Sequence, residues 1–92
     1  MMKTFKFDNE VLFKVDLFSD AAYLYVQQDA DVVRTVAHSD SINIDYDDDG
    51  EVVGYEILSL GERFPVRELP FRDSNELNQA NDALDNIDLV ED

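Results

Sequence analysis

From Ile42 to Leu58 the chain reads INIDYDDDGEVVGYEIL, and no other stretch constrains the fold as tightly. Large apolar residues alternate with polar ones on both sides of Asp49-Gly50, a dipeptide that strongly favours a two-residue hairpin turn. A turn there pairs Tyr46 with Val53, Ile44 with Tyr55 and Ile42 with Ile57, and this register sends every large apolar residue to one face. Glu56 then lies opposite Asn43.

The same residues also match a calcium loop. In Asp45 to Glu56, DYDDDGEVVGYE, an EF-hand pattern finds Asp45, Asp47 and Asp49 at its first three ligand positions. Gly50 falls at the sharp turn and Glu56 at the closing bidentate position. Such a loop joins two helices, whereas the flanks here have strand period, and Glu56 stands about 10 Å along the strand from the tip. A solvated turn is therefore expected, with no metal and no cofactor assigned. A weak divalent-cation-binding structural role for Asp45 to Asp49 is the alternative.

The rest of the first 60 residues has the same character. In KTFKFDNEVLFKV, a loop at Asp8-Asn9-Glu10 sets Phe7 against Val11 and Phe5 against Phe13. A turn at Phe18-Ser19-Asp20 leads into AAYLYVQ, where Ala22, Leu24 and Val26 alternate with Tyr23 and Tyr25. VVRTVAH, from Val32 to His38, alternates again. Five or six short strands separated by short breaks imply an antiparallel meander over residues 3–60.

Past Gly61 the pattern changes. Pro65 and Pro70 interrupt ladder and helix alike, so residues 61–73 form a connector. Asp73-Ser-Asn-Glu76 has the form of a capping box, and Leu77, Ala80, Leu84 and Ile87 follow at helical spacing, which predicts a helix over 74–87. Residues 88–92 are an acidic tail. The acids at the end of this helix oppose its dipole, so it needs to dock its apolar stripe, and the open face of the sheet is the expected dock. The expected fold class is α+β: one small domain over 1–92, an antiparallel β-meander of five or six strands with one C-terminal α-helix packed on the sheet.

Residues of this segment resemble a known family. Asp16, SDAAYLY from Ser19 to Tyr25, Val33-Arg34-Thr35 and above all INIDYDDDGEVVGYEIL are similar to the YuzE-like small proteins of bacteria and phages, the domain of unknown function 2283. The resemblance spans residues 15–60 and is most specific in the last hairpin. Leu17 stands where the family usually has Pro, Ala22 where it has Leu, and Tyr55 where it has Ile. The resemblance implies a small β-meander with a helix, usually without assigned activity, in genes often near mobile elements or toxin-like neighbours. It transfers no catalytic residue.

Composition narrows the chemistry. The 92 residues include no cysteine, which excludes disulfides, thiolate catalysis and sulfur-ligated zinc. No apolar run approaches the ~20 residues of a membrane span, and MMKTFKFDNE lacks the apolar core of a signal peptide, so a cytoplasmic protein without membrane contact is expected. His38-Ser39-Asp40 has the letters of a catalytic triad, but neighbours on a strand point to opposite faces and do not converge. The three glycines make no phosphate loop. An enzyme is not expected.

With 22 Asp and Glu against 7 Lys and Arg, the formal net charge is −15. A surface of that sign repels the phosphate backbone, so direct nucleic-acid binding is disfavoured and a basic protein partner favoured. The alternative source of the charge is solubility or adaptation to salt. Asp82, Asp85 and Asp88 recur along one helix face. Together with Asp45, Asp47, Asp48, Asp49 and Glu51 they would imitate a phosphate row toward a nucleic-acid-binding protein, in the manner of a DNA-mimicking phage or mobile-element inhibitor. An antitoxin-like subunit that neutralises one partner is the alternative. Tyr23, Tyr25 and Phe71 are candidate anchors for either contact or for self-association.

Overall fold

The computed structural model describes residues 1–7, 11–70 and 74–87. Six strands and one helix follow in order: β1 (Met2–Lys6), β2 (Leu12–Asp16), β3 (Ala21–Tyr25), β4 (Arg34–Ala37), β5 (Ile42–Tyr46), β6 (Val52–Ile57) and α1 (Ser74–Asn86). All six strands belong to one sheet, and every neighbouring pair is antiparallel. This is the α+β meander with a C-terminal helix that the alternating pattern implies. The strand order is β1-β2-β3-β6-β5-β4, so two three-stranded meanders meet where β3 pairs with β6.

The first hairpin has the register its phenylalanines dictate. Phe5 is paired with Phe13, and the Phe7 N–H donates to the Val11 carbonyl at 2.8 Å. The Phe5 and Phe7 rings both contact that of Phe13, with centroids 6.1 and 6.2 Å from it. Asp8, Asn9 and Glu10 lie outside the described residues. The next turn is held by Asp16, whose Oδ1 accepts the N–H groups of Phe18 and Ser19. A hydrogen bond from the Ser19 side chain, helped by these backbone bonds, holds the Asp16 carboxyl below the usual carboxylate range. Asp20 closes the turn in the left-handed region at φ 60°, which Asp tolerates better than most residues, and its Oδ1 accepts the Leu60 N–H.

The β5–β6 hairpin corrects the expected register at its tip. Ile42 pairs with Ile57 and Ile44 with Tyr55 as the alternation requires, but Tyr46 faces Val52, not Val53. The cause is the turn. The Gly50 N–H donates to the Asp47 carbonyl, and Gly50 takes φ +80°, so the loop holds three residues, Asp48 to Gly50, where two were expected. A register shift beside Asp45 and Tyr46 then leaves Val53 as an extra residue in β6, restoring the inward face for Tyr55 and Ile57. The extra residue is put to use: its carbonyl accepts the N–H groups of both Val26 and Gln27 just beyond β3.

One face of the sheet carries the core. Phe13, Val15, Leu24, Ile42, Ile44, Tyr55 and Ile57 pack there with Leu77, Ala80, Ala83, Leu84 and Ile87 of α1 and with Leu60, Phe64 and Leu69 of the connector. The predicted helical stripe is buried in full. Two side chains lock the connector onto this layer. The Asn81 amide pairs with the backbone of Phe64 as a strand neighbour would, accepting its N–H at 2.8 Å and donating to its carbonyl at 3.0 Å. The Tyr55 hydroxyl donates to the Pro70 carbonyl, a bond the Ile of the family pattern would not make. Near the acidic end of α1, Arg63 Nε donates to Asp85 Oδ1 at 2.8 Å and softens the unfavourable charge there. Asp73, the expected cap, lies outside the described residues. His38, just past β4, comes within 3.1 Å of Glu68. No described helix is long and apolar enough to cross a membrane.

Replacing Asn81 by Ala strands two backbone groups of the buried Phe64, and is expected to cost about 1–3 kcal/mol. Urea unfolding should show a lower midpoint at unchanged slope. Asn78→Ala, at an exposed position on the same helix, should change stability by less than about 0.5 kcal/mol.

Candidate functional site: the uncovered face of the sheet

Because side chains alternate along a strand, covering one face with α1 leaves the other to its polar set. Thr4 and Lys14, Tyr23 and Glu56, and Asn43 and Thr35 with Asp45 all belong to that second face. No described element packs on it. Its centre is Tyr23. The ring lies over Gly54, where a β-carbon would stand 2.3 Å from Tyr23 Cε1 and 2.7 Å from the Leu24 carbonyl oxygen. Only a glycine lets the ring settle flat against β6.

The Tyr23 hydroxyl donates to Asp45 Oδ2, and Thr35 Oγ1 donates to Asp45 Oδ1, so one carboxylate joins β3, β4 and β5 across the face. Burial pushes the Tyr23 hydroxyl well above the ordinary phenol range, and the bond to Asp45 with its negative charge adds to the effect. A second cross-strand pair lies beside it, with Asn43 Nδ2 donating to Glu56 Oε1 at 3.0 Å. Tyr25 contacts Tyr23 with ring centroids 4.4 Å apart, and Lys14 Nζ sits 5.5 Å from the Tyr25 ring centre. A shallow depression of about 180 Å³ runs past these rings, bordered by Met2, Lys14, Asp16 and Glu56.

The acids singled out in the sequence fall into separate groups. Asp45 is held inside the tyrosine–threonine network. Asp47 is the turn cap: its Oδ1 accepts the N–H groups of Asp49 and Glu51, and its Oδ2 accepts from Gln27 Nε2 at 3.2 Å. The Glu51 N–H is the main reason its carboxyl lies below the usual range. Asp48, Asp49 and Glu51 are exposed at the hairpin tip. Ligand oxygens of Asp47, Asp48 and Asp49 lie within 4.8 Å of one another, but strands flank them and Glu56 stays opposite Asn43, so the loop is no EF-hand. Asp82 and Asp85 are exposed on α1, which covers the opposite face from Asp45, and Asp85 is paired with Arg63. The helix acids and Asp45 therefore do not share one surface. Asp88 and Phe71 lie outside the described residues.

A family model for proteins of unknown function, DUF2283, matches residues 13–60, just over half of the chain. The chain belongs to the DUF2283 family. The matched segment runs from β2 past the end of β6, and so contains the whole Tyr23–Asp45–Thr35 network and the Asn43–Glu56 pair. The connector and α1, which build the lid over the core, lie outside the DUF2283 match. No curated protein and no solved structure gives a significant match.

Lys14, Gln27, Thr35 and Asn43 were not among the sequence candidates, and Glu56 entered there only as the closing position of the calcium pattern. Period two marks Lys14, Thr35, Asn43 and Glu56 as outward residues, but which of them meet depends on β3 lying beside β6, and no local pattern states that. Gln27 lies past β3 and enters only through the bulge.

Two outcomes test this geometry. Gly54→Ala should destabilise the protein by about 1–3 kcal/mol through overpacking. Adding Tyr23→Ala should restore only part of that, since the Leu24 carbonyl remains in the way. Tyr23→Phe should cost about 1 kcal/mol at pH 7. A raised phenol pKa favours the folded state below the free value of 10.0 and loses that contribution as pH rises beyond it, so the gap between variant and parent should narrow above pH 10 in urea unfolding.

Proposed function

We propose that this chain is a non-catalytic interaction module that binds a basic protein partner, using the uncovered sheet face together with the acidic hairpin tip. The observation that carries the reading is the pair of touching tyrosines on a rigid sheet face with no described element over it, set among carboxylates in a chain of net charge −15. Aromatic anchors ringed by charge are the usual energetic centre of a protein contact, and a negative field speeds encounter with a basic surface. An inhibitor of a nucleic-acid-binding protein is the form we favour. Exposed Asp48, Asp49 and Glu51 would stand in for phosphates, while the pairing of Asp85 with Arg63 takes that helix position out of a DNA-like row. The antitoxin-like alternative uses the same surface against a single dedicated partner.

The test is capture from native host lysate by the parent protein, by Tyr25→Ala, and by the combined Asp48→Asn, Asp49→Asn, Glu51→Gln variant. A basic protein held at low salt, released at high salt and weakened by both variants is the expected result. Displacement by added DNA identifies the mimic, and indifference to DNA the antitoxin-like form. Equal capture by all three proteins would refute the proposed surface.

A further inference from the structure

Resting on the module reading, the geometry points to a specific receptor on the open face: the depression beside Tyr23, Tyr25 and Glu56 takes an arginine side chain of the partner. At about 180 Å³ the depression is smaller than the ~300 Å³ at which small-molecule sites begin, and it opens broadly to solvent, so it suits one side chain better than a free ligand. Its walls have the two features that select a guanidinium. The Tyr25 ring, backed by Tyr23, offers a stacking surface over which Lys14 now reaches, and the Glu56 carboxylate, opposite Tyr23 in the register, offers a planar acceptor bordering the same depression. Glu56 takes its hydrogen bond from the neutral amide of Asn43, and among the described residues no Lys, Arg or His forms an ion pair with it.

The chain already uses this chemistry twice within itself. The Arg34 guanidinium lies 4.6 Å from the Tyr46 ring centre at the other side of the sheet, and Lys14 reaches over Tyr25 at 5.5 Å. Lys14 thus occupies one face of the receptor with a compact, strongly hydrated ammonium, which a partner's arginine would displace. Arginine is the better occupant because it stacks as a plane and binds a carboxylate with two parallel donors.

The probe is a blocked peptide of alternating Arg and Gly, with its Lys counterpart as comparison, titrated into the full-length protein and followed by backbone amide shifts. Shifts centred on Lys14, Tyr23, Tyr25 and Glu56 are expected, with the Arg peptide binding roughly 3–10-fold more tightly than the Lys peptide. Charge-matched variants separate a site from a general field. Glu56→Gln should weaken the Arg peptide severalfold while Asp48→Asn changes it less than about twofold, as distant exposed charges are screened. Lys14→Met should tighten it while Lys3→Met leaves it nearly unchanged. Shifts confined to residues 48–51, equal binding of the two peptides, or equal effects within each charge-matched pair would overturn the receptor. Partner capture is measured separately, so such a failure would leave the module reading standing.

Discussion

The pairing of β3 with β6 is the contact on which the rest of the molecule depends. Without it there are two three-stranded ribbons, each too narrow to bury a face. With it, Leu24 and Tyr55 meet at the centre of one continuous apolar floor, and on the reverse side Tyr23 and Glu56 become neighbours. The junction is long in sequence separation, so the chain closes a large loop to make it, and two devices help to fix its register. Gly54 lets the Tyr23 ring lie against the backbone, and the extra residue Val53 gives β3's continuation two hydrogen bonds to one carbonyl.

Local patterns made most of the elements legible, because period two and period 3.6 are printed directly in the residues. Phe5 opposite Phe13, Ile42 opposite Ile57 and the stripe Leu77, Ala80, Leu84 and Ile87 are all read correctly from alternation alone. The tip of the last hairpin is not. Asp-Gly favours both a two-residue loop and a three-residue loop, and the choice was made by the Asp47 side chain, which gathers two N–H groups and stabilises the longer form. The site was half legible for a related reason. Its residue types lie in plain view, but the partners of each come from strands that follow one another in space and not in sequence.

The acidic composition also divides on inspection. Some carboxylates do structural work: Asp16 and Asp47 hold turns by accepting backbone N–H groups, and Asp20 accepts the N–H of distant Leu60. Asp45 holds a sheet face together through hydroxyl donors. Among the described residues, the other acids exposed to the surroundings are Asp48, Asp49 and Glu51 at the hairpin tip, Asp82 and Asp85 on α1, and Asp29, Asp31, Asp40, Glu62 and Glu68 in the loops and connector.

The boundary of the family match, at residue 60, falls between the two layers of the molecule. The matched strands supply both faces of the sheet, while the greasy one is roofed by residues that follow the match. Roof and tyrosine face lie on opposite sides of the described sheet, which makes them separable parts. A different amphipathic helix could close the core of such a sheet and leave its tyrosine face unaltered. The roof over the core and the tyrosine face on the reverse are thus free to vary along independent lines, with Tyr55, bonded to the connector at Pro70, as the seam between sheet and roof.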